Sequence, residues 1–87
     1  MILYDHMGNK IIERSIIHRT DSHEDYMITS IRHIFLHNQH QSSIVIAYSV
    51  TAPNIFKLVN YLPEKGLSDG LHIWEVVSDH DMAHSEK

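Results

Sequence analysis

Residues 42–50, "SSIVIAYSV", decide the fold of this chain of 87 residues. A short apolar run rich in β-branched residues and bounded by serines is typical of a largely buried strand. Successive side chains of a strand point to opposite faces. The larger face, which we expect to meet the core, holds Ile44, Ile46, Tyr48 and Val50, and the other face holds Ser43, Val45, Ala47 and Ser49.

A hairpin and a helix are predicted before this strand. Residues 1–5 and 10–18 are rich in strand-forming side chains, and "HMGN" between them supplies turn residues. A helix is predicted over residues 23–38, with Ser22 as its N-cap. Apolar residues recur there at helical spacing, at Met27, Ile28, Ile31, Ile34 and Phe35.

A second, shorter helix and a last strand are predicted after it. Thr51 can cap this helix and Pro53 suits its first turn, while Pro63 and Gly66 end it. Its apolar stripe consists of Ile55, Leu58, Val59 and Leu62. "LHIWEVV", residues 71–77, is the predicted last strand. The single domain is expected to span residues 1–78, followed by a polar mobile tail over residues 79–87.

The predicted order of hairpin, helix, strand, short helix and strand resembles the ubiquitin-like β-grasp layout. The start "MILYDHMGNKIIERSI" and the "LSDG" before the last strand carry the resemblance, which covers residues 1–77. It implies a small single-domain α/β (α+β) fold with a mixed sheet, in the order β-β-α-β-α-β, and a helix packed on one sheet face. Among the functions of proteins with this layout, conjugation through a C-terminal Gly-Gly and iron–sulfur chemistry are not expected, because the chain has no Gly-Gly and no cysteine. The function that the resemblance still implies is protein binding through the sheet.

An apolar patch is predicted on the open face of that sheet. In the last strand, Leu71, Ile73 and Val77 would join the core. The protein-binding residues on the other side would be His72, Trp74, Val76 and Val45. We therefore expect a protein-binding or regulatory module whose partner is another protein, with a homodimer as one form. Replacing Trp74 with Ala is expected to abolish partner binding without unfolding the domain.

Composition narrows the function classes. Seven Lys and Arg against eleven Asp and Glu give a net charge of −4, with no basic cluster to favour nucleic acid. Without cysteine there is no thiol catalysis, and the three glycines form no phosphate loop. We expect no catalysis and no cofactor. The N-terminus reaches Asp5 before any long apolar run, so a cytoplasmic protein without a membrane span is expected.

The same middle segment supports an alternative fold and function. Residues 50–68, "VTAPNIFKLVNYLPEKGLS", also look like the recognition helix and following turn of a winged helix-turn-helix repressor of the MarR kind. That resemblance implies DNA contacts from Thr51, Asn54 and Lys57. Against it, "SIVIAY" favours a strand where the preceding helix should lie, and the presumed recognition helix holds a single Lys.

Nine histidines raise two further hypotheses. His33, His37 and His40 would share one helix face, where imidazoles can bind zinc, copper or nickel, or merely face solvent. Protonation of all nine would change the net charge from −4 to −4 + 9 = +5. Since an unperturbed imidazole titrates near pH 6.5, protein binding is expected to depend on pH around 6.

Overall fold

The computed structural model describes residues 1–77, which form strands joined by turns and contain no helix. The eight strands are β1 (Leu3–Tyr4), β2 (Lys10–Ile11), β3 (Ile16–Arg19), β4 (Tyr26–Leu36), β5 (Gln39–Ser49), β6 (Phe56–Leu62), β7 (Gly66–Ser68) and β8 (Ile73–Val76).

Strands β3 to β8 form a closed antiparallel barrel in which each strand pairs with the next along the chain. The barrel closes where β8 pairs with β3, with Ile17 opposite Val76. β4 and β5 are the longest strands, and a two-residue turn joins them. Both turn residues, His37 and Asn38, have positive φ, which is the conformation of a type I′ hairpin turn.

The separate β1–β2 hairpin packs against the barrel. Its Leu3 and Ile11 lie opposite each other and belong to the buried core. The Asp5 carboxylate accepts the backbone N–H of Val76 at 2.8 Å, which ties the hairpin to β8. Gly66 has a φ of +77°, and a Cβ there would lie 3.3 Å from the backbone nitrogen of His6. Close approach of the hairpin to β7 therefore depends on this glycine.

The β-grasp prediction is wrong, because residues 1–77 form an all-β barrel with no packed helix. Residues 23–38, the predicted long helix, contain β4. A β-bulge lies between Ile28 and Ser30 and shifts the alternation by one residue. Tyr26 and Ile28 face the barrel interior before the bulge, and Ile31 does so after it. Inward residues three apart thus imitate helical spacing.

The second predicted helix is also wrong. Its sequence forms a turn followed by β6. Val59 and Tyr61 point into the barrel, while Phe56 and Leu58 point outward and are exposed. Because apolar residues occupy both faces of this strand, spacings of three and four arise without a helix.

The strands predicted at residues 42–50 and 71–77 are confirmed, but their faces are reversed. Val45 and Ala47 are fully buried, whereas Tyr48 is 38% exposed. Trp74 points into the barrel and is 2% exposed. Since side-chain direction alternates, the reversal affects every residue of both strands.

The N-terminal hairpin is confirmed in part. The first strand pairs as expected with Lys10 and Ile11. The rest of the predicted second strand leaves the hairpin, and Ile16–Arg19 joins the barrel as β3. The predicted tail over residues 79–87 lies outside the described residues.

Candidate protein-binding face

Large apolar side chains cover the outside of the barrel on three neighbouring strands. We call this surface the outer face; it comprises Met27 on β4, Ile44, Ile46 and Tyr48 on β5, and Phe56 and Leu58 on β6. Phe56 is 52% exposed and Leu58 is 57% exposed. Side chains of this size and type are usually buried in a core or in an interface.

Strand register makes the outer face continuous. Met27 lies opposite Tyr48, and Tyr48 lies opposite Phe56 on its other side. The Tyr48 and Phe56 rings are in contact, with centroids 5.5 Å apart. In the next row, Ile46 lies opposite Leu58. Cross-strand neighbours on one face are close enough to pack together, so these side chains form one patch.

Formal charge enters this patch only at its border. Beyond Ile46, the next outward row holds Arg32, Ile44 and Asn60. Three strands about 4.8 Å apart and three rows about 6.8 Å apart give a face of about 300 Å², with apolar side chains at six of its nine outward positions. The largest apolar patch of a typical monomer covers about 300–600 Å², and such patches often bind other proteins.

The protein-binding residues predicted from the sequence lie elsewhere. Val45, Val76 and Trp74 are in the buried core. Of that set only His72 is partly exposed, with its Nδ1 3.6 Å from an Asp69 carboxylate oxygen. The open sheet face on which these residues were placed does not exist in a closed barrel.

Trp74 is held in the barrel by a hydrogen bond as well as by packing. Its indole N–H donates to the Asp69 carboxylate at 3.0 Å, and its ring meets Tyr26 edge-on at a centroid distance of 5.4 Å. Burial alone would raise the pKa of Asp69, but the Trp74 bond opposes it. Backbone N–H groups of Leu71 and His72 also donate to this carboxylate. Together these bonds hold the pKa of Asp69 well below its ordinary range.

The structure brings two of the three predicted metal-binding histidines together. His33 Nδ1 lies 2.7 Å and His40 Nε2 lies 2.8 Å from the Ser43 hydroxyl oxygen. The His40 ring also stacks on Tyr61. His37 lies in the exposed β4–β5 turn. Within residues 1–77, no three His, Cys, Asp or Glu side chains are grouped to hold a metal ion.

The residues predicted for DNA contact are not on a helix. Thr51 and Asn54 lie in the turn before β6, and Lys57 lies on β6. Lys57 also lines a small recess of about 60 Å³ at the barrel mouth, with Arg19 and Glu24. A winged helix-turn-helix requires a recognition helix, and the described part of the chain has none.

Sequence reasoning missed the outer face because it assigned most of these residues to the core and did not consider Phe56. The signal that could have found it is the apolar character of both faces of β6: Phe56 and Leu58 on one, Val59 and Tyr61 on the other. Residues 1–77 contain no helix that is long and apolar enough to cross a membrane. No family model, curated protein or solved structure matches the chain.

Proposed function

We propose that the protein is a non-catalytic protein-binding module that associates with a second copy of itself through the outer face. The observation that carries the proposal is the row of exposed apolar side chains across three adjacent strands, with Phe56 and Leu58 more than half exposed. Water contact with such a surface is unfavourable, at roughly 25 cal/mol for each Å² of apolar area. A complex in which a partner covers this surface is stabilised accordingly.

The chemistry of the outer face favours a second copy as the partner. Its centre carries no formal charge, so a complementary surface must itself be apolar and uncharged. The same face on another copy meets this requirement. Two identical patches can meet around a two-fold axis, as in most homodimers. The net charge of −4 opposes association only weakly, because salt screens charges more than about 8 Å apart at physiological ionic strength.

The area of the outer face sets the expected strength of this contact. A stable interface takes about 800 Å² from each partner, and the outer face offers about 300 Å². The face-to-face contact is therefore weak by itself. We expect it to be seen at high protein concentration, or where a second contact supports it.

Sedimentation velocity of the purified chain over a concentration series tests this proposal. The wild-type protein is expected to form larger species as its concentration rises. Leu58→Asp should weaken association at least tenfold, or about 1.4 kcal/mol, since it places a charge in the apolar patch. Leu71→Asp is the matched control, because Leu71 is 88% exposed in the β7–β8 turn and lies away from the outer face.

Two results would contradict the proposal. The wild-type chain could sediment as a monomer at every concentration, or Leu58→Asp and Leu71→Asp could associate equally.

A cytoplasmic location belongs to the same proposal and is supported by the complete absence of cysteine.

A further inference from the structure

One strand of the barrel has an unpaired edge. β3 pairs with β4 only at Tyr26 and Met27, and the last bond on that side joins the Arg14 N–H to the Ile28 carbonyl at 2.8 Å. Residues 29–36 of β4 have no strand partner on the side away from β5 within the part of the chain that the structure describes. We call this segment the free edge of β4.

Strand alternation identifies the backbone groups that the free edge exposes. The N–H and C=O of Ile28 point away from β5, since they bond residues before β3. In an antiparallel ladder every second residue points the same way. After correction for the bulge at Thr29, the outward-pointing residues are Ile31, His33 and Phe35. No backbone bond outside the β4–β5 ladder reaches them in residues 1–77.

We propose that the free edges of β4 in two copies of this chain pair with each other in antiparallel orientation. An unpaired edge of this length is a template for another strand. Proteins usually block such edges with Pro, charged side chains, β-bulges or a short strand. Residues 29–36, "TSIRHIFL", contain no Pro and one charged side chain, Arg32, and the two bulges lie toward the ends of the segment. The segment is otherwise rich in strand-forming residues. The second copy offers an identical edge, which pairs around a two-fold axis.

Charge selects the register. Paired residues must point to the same face, so the two longest overlaps are centred on Arg32 or on His33. The first sets Arg32 against its own copy, which is unfavourable for like charges directly opposite each other. The second places Ile31 opposite Phe35 and Arg32 opposite Ile34. The geometry therefore points to a pair centred on His33.

A recess at the start of the free edge fits this arrangement. It has a volume of about 310 Å³ and is lined by Glu13, Arg14, Met27, Ile28 and Thr29. In the register centred on His33, the β4–β5 turn of the second copy reaches this end of the edge. Its exposed Leu36 would lie opposite Ser30, beside the recess.

Edge pairing also explains how the weak face-to-face contact between outer faces can contribute to self-association. The paired strands join β4, β5 and β6 of both copies into one continuous sheet. The two outer faces then lie on the same side of that sheet, one toward each end of the paired strands, and together cover about 600 Å². The axis of edge pairing is perpendicular to the sheet, whereas the axis of face-to-face contact lies in its plane. If the two axes intersect, they give a closed assembly of four copies.

Amide hydrogen exchange of the wild-type chain over a dilution series tests the edge pair. The amides of Ile31, His33 and Phe35 should exchange at least about tenfold more slowly at high concentration than at low concentration. The amides of Ser30, Arg32 and Ile34, which face β5, serve as internal controls and should change little. Rates that do not depend on concentration overturn the inference. If these amides exchange slowly at every concentration, the edge is paired with a segment of the same chain. If they exchange fast at every concentration, the edge is unpaired.

A pair of variants at one position supplies an independent test. Phe35→Pro removes an edge N–H that makes no bond in the monomer, so the barrel should stay folded. Phe35→Ala removes the same ring and keeps the N–H. We expect the proline variant to lose the concentration-dependent protection at Ile31 and His33, and the alanine variant to retain most of it. Equal behaviour of the two variants contradicts edge pairing.

Leu58→Asp separates this inference from the proposed function. If both contacts exist, that variant should sediment as an edge-paired dimer whose Ile31 and His33 amides remain protected. A monomeric Leu58→Asp with a self-associating wild type supports the outer face alone and overturns the edge pair. A Leu58→Asp that assembles like the wild type, with protected edge amides, overturns the outer face and leaves the edge pair standing.

Discussion

The two sides of β5 and β6 differ in a way that reverses the usual association of large apolar residues with the core. The side that faces the barrel interior carries Val45, Ala47 and Val59, all fully buried. The side that faces outward carries larger apolar residues, and Leu58 is 57% exposed. Side-chain size therefore does not identify the core side of these strands.

The narrow interior of the barrel explains the difference. Trp74 from β8 and Tyr26 from β4 pack against each other inside it. Small barrels combine large and small residues on facing strands, because the sum of their volumes must fill a fixed space. With a Trp and a Tyr inside, β5 contributes Val and Ala. Its isoleucines and Tyr48 remain outside, where they form the outer face.

Adjacent positions on β6 give the largest expected contrast between the two sides. Val59→Asp should leave most of the protein unfolded, because a buried and unpaired carboxylate costs about 4 kcal/mol or more. Leu58→Asp should change the free energy of unfolding by less than about 1 kcal/mol. Urea titration followed by circular dichroism measures the free energy of unfolding of both variants, at a protein concentration low enough to avoid self-association. Equal stability of the two variants would mean that the faces of β6 are assigned incorrectly.

Trp74 tests the interior from β8. Trp74→Ala should lower the free energy of unfolding by about 3–5 kcal/mol, since it leaves a large cavity and takes away the donor to Asp69. Trp74→Phe keeps most of the ring volume and should lose less. A stable Trp74→Ala with impaired association would instead restore the sequence-based prediction that this residue binds a partner.

Ala47 tests how tightly the interior is filled. Ala47→Leu should lower the free energy of unfolding by about 1–3 kcal/mol through overpacking. Ser42→Leu makes a similar addition at an outward position of the same strand, where the side chain does not enter the barrel interior. Thermal unfolding of both variants measures the difference. If the two variants melt at the same temperature, the interior has free space and the packing argument fails.

Asp69 gives the smallest effect and one that depends on pH. Because its pKa in the folded state lies below the unfolded value, the unfolded chain binds this proton first as the pH falls below about 4. The stabilising contribution is complete above that pH and is lost as the pH falls toward the folded value. Asp69→Asn should therefore reduce the acid-induced loss of stability. Urea titrations at neutral pH and near pH 2.5 measure it, and an unchanged pH dependence contradicts the assignment.

The sequence predicts the locations of some strands but not the sides on which those strands pack. The β-branched run at residues 42–50 and the segment around Trp74 both form strands, as expected. β4 was predicted as a helix because the bulge at Thr29 places Ile28 and Ile31 on the same side. A bulge depends on pairing with another strand, and spacing along one chain does not reveal it.

The outer face and the free edge of β4 depend on tertiary structure. Barrel closure decides whether Leu58 or Val59 of β6 points inward. This closure pairs β8 with β3, and the two strands are far apart in the sequence. Both positions are apolar, so a periodicity argument has no basis for choosing between them. Likewise, the edge of β4 is free because β3 is only four residues long.

Methyl resonances of the wild-type chain with a soluble paramagnetic agent test the central claim most directly. At low protein concentration, the agent should broaden the methyl signals of Ile46 and Leu58 and spare those of Val45 and Val59. At high concentration, Ile46 and Leu58 should become protected as copies associate. Broadening of Val45 and Val59, or protection of Leu58 at every concentration, would contradict a barrel with an apolar outer face that a second copy covers.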